Sequence, residues 1–218
     1  MIFGIDHLVF AGTRADHAAL GERLASSGFV PVPGRLRFDE IGAHSESLAY
    51  ADGAFVEVVY EVADGVAPRV WFDGPVPRLM GIGVSSDDFA RDTAGWEWTM
   101  DEEQTLDDGS TLRIHAAGPH EHLSPLYVFA MDRPGRVLDH PELGGTARLV
   151  ELRFEGRDHL RWRTRIERWL GRADAVGDVA LRFVPGPLAG AAVTPVFAVT
   201  GGAGWVELAA GAIELVAG

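Results

Sequence analysis

Residues 48–59 read Leu-Ala-Tyr-Ala-Asp-Gly-Ala-Phe-Val-Glu-Val-Val, and residues 206–216 return as Val-Glu-Leu-Ala-Ala-Gly-Ala-Ile-Glu-Leu-Val, one residue shorter. Internal repetition constrains a fold more than any local propensity, so it is read first. Around the first copy the order is strand, helix, strand, strand, strand. Phe3 to Phe10 is an apolar, β-branched run suited to a buried strand. Thr13 can cap the following helix, and Asp16 favours the positive end of its dipole. The helix carries Leu20 and Leu24 and stops at Ser26-Ser27-Gly28. Phe29 to Val32 is a short strand whose Pro31 suits an edge. His44 to Tyr50 and Ala54 to Tyr60 then form a hairpin, with Asp52-Gly53 supplying the positive φ of the turn.

This βαβββ unit covers residues 1–61, and its order can be read twice more, over 78–131 and 147–218. In the second unit Leu79 to Val84 is a strand and Asp87-Asp88-Phe89 opens a short helix. Trp96 to Thr105 and Thr111 to His115 flank the turn Asp107-Asp108-Gly109, and Pro125 to Met131 closes the unit. A loop rich in Pro, Gly and Asp follows, from Asp132 to Gly145. In the third unit Arg148 to Phe154 is a strand, and Asp158 can cap a helix His159 to Leu170 with Leu160, Ile166, Trp169 and Leu170 inward. Val179 to Val184, Thr194 to Thr200 and Trp205 to Val216 supply the last strands. The expected class is α+β with curved mixed sheets. One unit cannot cover both faces of its own sheet, so units must pack in pairs. An odd number of them predicts a homodimer.

Absent residue types narrow the chemistry. The 218 residues include no Cys, and all 19 cationic side chains are Arg. Disulfides, thiolate nucleophiles, Lys Schiff bases and P-loop lysines are therefore excluded. Any metal must be held by His and carboxylates. With 32 Asp and Glu the net charge is −13, which argues against nucleic acid and permits a neutral or cationic small ligand. Neither a basic n-region with a long apolar h-region nor an apolar run of about 20 residues occurs, so a cytoplasmic chain without membrane contact is expected.

Several short motifs, taken in order, resemble the glyoxalase-like branch of the vicinal oxygen chelate superfamily. They are Ile5-Asp6-His7-Leu8-Val9-Phe10, Gly42-Ala43-His44, Phe55-Val56-Glu57-Val58-Val59 and Met80-Gly81-Ile82-Gly83-Val84. Asp108-Gly109, His140-Pro141 and Ala147-Arg148-Leu149-Val150-Glu151 extend the similarity over most of residues 1–154. The resemblance implies paired βαβββ units curving into a bowl for a ligand, often with a divalent metal (Zn, Ni, Fe, Mn or Co). Carried over by position, it makes His7 and Glu57 the metal ligands of unit one, and Glu151 and Glu214 those of unit three. Unit two has Gly81 and Tyr127 or Val128 at those places, none of them a ligand. If units one and two share the bowl, half of the metal set remains; if units one and three share it, the full set can converge.

Each signal has a plainer alternative. His7 sits among apolar residues and can be a core histidine bonded to backbone. Glu57 shares its strand face with Phe55 and Val59, where an unpaired carboxylate is costly, so metal, Arg or a neighbouring His must compensate. Glu214, beside Ala212 and Val216, is either such a ligand or a terminal exposed residue. Glu151 has Arg153 as a strand neighbour and reads equally as a surface ion pair. The resemblance places His44 at the mouth of the bowl, where it binds substrate or moves a proton, or is simply a loop-proximal polar group. His120-Glu121-His122 reads as a loop, and His115 as a weaker bowl-lining candidate. Trp96 and Trp98 are core or ligand-stacking aromatics. Arg157, Arg161, Arg163, Arg165 and Arg168 spread around a helix and read as a solvated face or dimer contact.

Two functions follow as expectations. One is a glyoxalase-like lyase, isomerase or dioxygenase in which a divalent metal on His7 and Glu57, with Glu214 as third ligand, chelates vicinal oxygens while Glu57 or His44 moves a proton. The other is a metal-free protein that sequesters a drug or metabolite, in the manner of bleomycin-resistance proteins.

Overall fold

The strand β1 (Ile2–Ala11) is the axis of the first sheet, with a parallel neighbour on one side and an antiparallel one on the other. The computed structural model describes residues 2–38, 42–61, 76–106, 109, 111–119, 126–132, 145–187 and 191–218. Asp107, Asp108, His120-Glu121-His122 and residues 133–144, with His140-Pro141 among them, lie outside the described residues. β1 pairs in parallel with β5 (Phe55–Glu61) and antiparallel with β6 (Arg78–Ser86), and β6 pairs in parallel with β9 (Tyr127–Asp132). Units one and two therefore share one sheet, joined through β1 and β6.

Outward from this centre run β4 (Ala43–Ala49) and the edge strand β2 (Val30–Pro31) on one side, and β8 (Thr111–Gly118) and β7 (Trp98–Thr105) on the other. The sequence reading lacked β3 (Leu36–Phe38), a three-residue strand on β4. A single antiparallel bridge from Leu36 to Leu106 brings β3 to the far end of β7. The nine strands are thereby curled into a half-barrel.

Local chemistry explains the turns and caps. Helix α1 (Arg14–Ala25) opens on a reciprocal cap: the Thr13 hydroxyl accepts from the Asp16 amide at 3.1 Å, and Asp16 Oδ2 accepts from the Thr13 amide at 2.7 Å. Gly53, at φ 73°, ends the turn between β4 and β5, as Asp-Gly there required. The short α2 (Phe89–Asp92) begins at Asp88, whose carboxylate accepts from the Arg91 amide.

The second sheet is built from β10 (Arg148–Gly156), β11 (Ala175–Val176), β12 (Val179–Val184), β13 (Ala191–Val199), β14 (Gly204–Glu207) and β15 (Ala212–Ala217). β10 is parallel to β12 and antiparallel to β13, and β13 is parallel to β15. This repeats the pairing of β5, β1, β6 and β9 in smaller form. Residues 147–218, read from sequence as one unit, pair as two half-units about the β10–β13 contact. The repeat noticed in the sequence falls on matching hairpins, β4–β5 beside β1 and β14–β15 beside β13.

One hydrophobic core joins both sheets. It contains Leu8, Phe10, Val56 and Val58 from the outer face of the half-barrel, Leu20 and Leu24 from α1, and Leu152, Phe154 and Phe197 from the second sheet. Helix α3 (His159–Leu170) adds Trp162, Ile166 and Trp169. The expected cap at Asp158 makes no side-chain hydrogen bond. Leu160, expected inward, is 63% exposed, because the buried stripe runs 162, 166, 169 and position 160 lies off it. Arg161, Arg163 and Arg168 of α3 are exposed, and Arg165 is half-buried. Residues 147–218 pack on the half-barrel through this shared core.

On the outer face His17 of α1 holds Glu46 through Nδ1 at 2.8 Å, while its Nε2 is buried without a partner. Burial lowers the His17 imidazole below its ordinary value; Glu46 opposes this and Arg14 adds to it. The unfolded chain thus takes up this proton before the folded one, so stability rises with pH through the window just below the ordinary histidine value of about 6.5. His17→Gln is expected to flatten that slope in a series of denaturation midpoints from about pH 5 to 7. An unchanged slope refutes the assignment.

Candidate functional site

The inner face of the half-barrel takes the residues that alternate with the core positions: His7 and Val9 on β1, Phe55, Glu57 and Val59 on β5, and Phe129 and Met131 on β9. Parallel pairing sets His7 against Phe55 and Val9 against Glu57. His7 and Glu57 thereby converge, with Nε2 and Oε2 at 3.6 Å, and both are buried. A register shift between Ile5 and His7 turns Asp6 toward the imidazole. Asp6 Oδ1 meets His7 Nδ1 at 2.5 Å, and Asp6 Oδ2 accepts from Ser85 Oγ at 3.0 Å. On the far side Ser45 of β4 donates its hydroxyl to Glu57 Oε1 at 2.5 Å. A connected row results: Ser85, Asp6, His7, Glu57, Ser45.

Above this row lies a cavity of about 460 Å³, within the size range of small-molecule sites. Its walls are almost wholly apolar. The His7 ring stacks on Phe55 at 4.6 Å and 4° and meets the edge of Phe129 at 5.2 Å. Tyr127 stacks on Phe129 at 5.2 Å. Met100, Ile114 and Met131 line the β7–β8–β9 side, Leu36 and Phe38 the β3 side, and Trp98, 37% exposed, also lines the cavity. Two glycines of β6 make the room: a Cβ on Gly83 would lie 2.7 Å from His7 Cε1, and one on Gly81 would lie 2.9 Å from Tyr127 Cζ. Burial pushes the Tyr127 phenol well above its ordinary range and Glu57 pushes it further, so it stays protonated.

The structure brings His7 and Glu57 together and separates the other residues singled out from the sequence. His44 does not line the cavity. Ser45 carries the inner face at that point of β4, so alternation turns His44 outward, where its ring meets Tyr60 edge-on at 6.2 Å. Glu151 and Glu214 belong to the second sheet, and both are held by arginine. Glu151 Oε1 accepts from Arg153 Nε at 2.9 Å and its Oε2 lies 2.5 Å from Arg182 Nε, while Glu214 Oε2 accepts from Arg153 Nη1 at 2.7 Å. Cationic partners on these carboxylates disfavour a metal ion there. His115 also faces away from the cavity, pairing with Asp132 at 3.1 Å and packing on the Phe89 ring. Trp96 packs against the core, leaving Trp98 as the cavity aromatic of that pair.

Four inner-row or lining residues were not legible beforehand. Asp6 and Ser85 required the bulge, Ser45 required the β4–β5 register, and Phe129 required the β6–β9 register. That last register also corrects the position matching Glu57 in unit two. His7 faces Phe55 across its pair as Gly81 faces Tyr127, so Glu57 matches Phe129 rather than Tyr127 or Val128.

The donor set does not fit a resident metal. Catalytic zinc sites supply three protein ligands, whereas the cavity offers His7 and Glu57, with glycine and phenylalanine at the other two positions. Among the described residues no cluster of three or more His, Asp or Glu side chains could share an ion. No described helix is long and apolar enough to cross a membrane.

No protein-family model matches the sequence, and no curated protein matches it either. Solved structures do match in shape. A hypothetical protein from Staphylococcus aureus aligns over 100% of both chains with a TM-score of 0.71 at 6% identity. A variant of 4-hydroxymandelate synthase from Streptomyces coelicolor aligns over 91% of this chain and 71% of its own, with a TM-score of 0.55 at 15% identity. A fusion of a xylose isomerase-like TIM barrel with 4-hydroxyphenylpyruvate dioxygenase aligns over 90% of this chain and 36% of its own, with a TM-score of 0.53 at 17% identity. At such identities the likeness is one of fold. The chain has an α+β fold in which a nine-stranded mixed sheet curls about a cavity and a second, six-stranded sheet packs on its outer face.

Proposed function

We propose that this chain is a small-molecule-binding protein whose half-barrel receives a mainly apolar, aromatic-sized organic ligand without a resident metal. The observation that carries this reading is the cavity itself, with aromatic and methionine walls and one convergent polar spot. Such a lining gains from displacing water along its walls and uses the polar spot to fix orientation. Of the two functions expected from sequence, sequestration of a metabolite or drug is favoured over metal-assisted lyase, isomerase or dioxygenase chemistry, because the ligand set in the bowl is only half present.

Indole, a neutral flat probe, tests the reading. At a hundredfold excess over its Kd, mass action contributes about 2.7 kcal/mol of stability. For a chain of this length that is a rise in Tm of roughly 5–11 °C. No shift with indole, naphthalene or toluene near their solubility limits would overturn the proposal.

A further inference from the structure

The hydrogen-bond row fixes what the polar spot presents to a ligand. An ionised Asp6 carboxylate only accepts, so His7 Nδ1 must carry the proton it shares with Asp6 Oδ1. That leaves Nε2 as the ring nitrogen that faces Glu57. Glu57 Oε1 is taken by the Ser45 hydroxyl, while Oε2 lies 3.6 Å from Nε2, beyond direct hydrogen bonding. A carboxylate oxygen not held by Ser45 is thus set at the floor of an otherwise apolar cavity. Two carboxylates against one imidazole also make the floor negative.

We infer that the ligand bound in this cavity carries a primary amine or amidinium that donates to Glu57 Oε2 beside His7, on an aromatic body held by the surrounding rings. The inference rests on the small-molecule reading above and specifies its ligand class. The positive charge of that group strengthens the bond to Glu57 Oε2, and the Asp6 carboxylate behind His7 adds to the attraction. Phe55, Phe129, Tyr127 and Trp98 provide faces that favour a cation beside them. A carboxylate in the same place would meet like charge. Asp6 and Ser45 are positioning residues: one sets the imidazole tautomer, the other turns Glu57.

Calorimetric titration of the full chain with three probes of similar bulk tests this: 2-phenylethylamine, 3-phenylpropanoate and neutral propylbenzene. The amine is expected to bind at least tenfold more tightly than propylbenzene, and the carboxylate at least tenfold more weakly. Glu57→Gln, which keeps the shape, should cut the ratio of amine to propylbenzene affinity at least tenfold. Asp6→Asn should lower the same ratio. Equal or tighter binding of the carboxylate, or an amine no better than propylbenzene, overturns the inference while the cavity reading stands. Binding of none of the three overturns both. The wild-type series decides the matter even if a variant fails to fold.

Discussion

Phe197→Ala is expected to lower the unfolding free energy by about 3–5 kcal/mol, as full truncation of a buried aromatic does. Phe197 is fully buried and stands where the two sheets meet, 4.9 Å from the Phe29 ring and 5.0 Å from the Tyr50 ring, edge-on to both. Neither neighbour can refill the space easily, since Phe29 closes the end of α1 and Tyr50 begins the β4–β5 turn. The Tyr50 hydroxyl is itself buried without a partner. A void beside it admits water, which recovers part of the loss and favours the lower end of the range. Denaturant titration reads the effect, with a fall in Tm of roughly 6–20 °C alongside it. A loss below 1 kcal/mol would show that the second sheet is not welded to the half-barrel at this point.

Gly83→Val should have the second large effect, on binding more than on folding. Its Cβ would come within 2.7 Å of His7 Cε1, 2.8 Å of Nδ1 and 3.2 Å of Phe129 Cζ. The imidazole cannot slide away, because Phe55 stacks on one face and Asp6 holds Nδ1. Overpacking of this kind costs about 1–3 kcal/mol, and relief requires breaking the Asp6 bond. Loss of the hydrogen-bonded Nδ1–H resonance of His7, with at least a tenfold weaker affinity for 2-phenylethylamine, is the expected outcome. Retention of both would mean that the ring is not confined as described.

The elements were legible because their signals are local. Thr13 with Asp16, Asp52-Gly53 and the alternation through Glu57 each act within a few residues of chain. The repeat at 206–216 was visible for the same reason, and it lands on the hairpin matching 48–59. The site was legible only in part. Glu57 declared itself as a carboxylate on an apolar strand face, and the structure sets the Ser45 hydroxyl on one of its oxygens and His7 beside the other. What local sequence could not convey was which sheet a strand joins. Glu151 and Glu214 occupy strand positions like those of His7 and Glu57, yet they belong to another sheet and are neutralised by Arg153 and Arg182. His44 stands a single step of alternation from the cavity face, since its neighbour Ser45 takes the inward place.

Among the described residues the half-barrel is closed at one side by the Leu36–Leu106 bridge, between a three-residue strand and the end of β7, while its floor is laid on the long central strands β1 and β6. The seam is therefore the least costly place for the molecule to breathe, and the floor the most costly. Parting there would widen the cavity beside Leu36 and Phe38 and leave the polar floor of His7 and Glu57 in place.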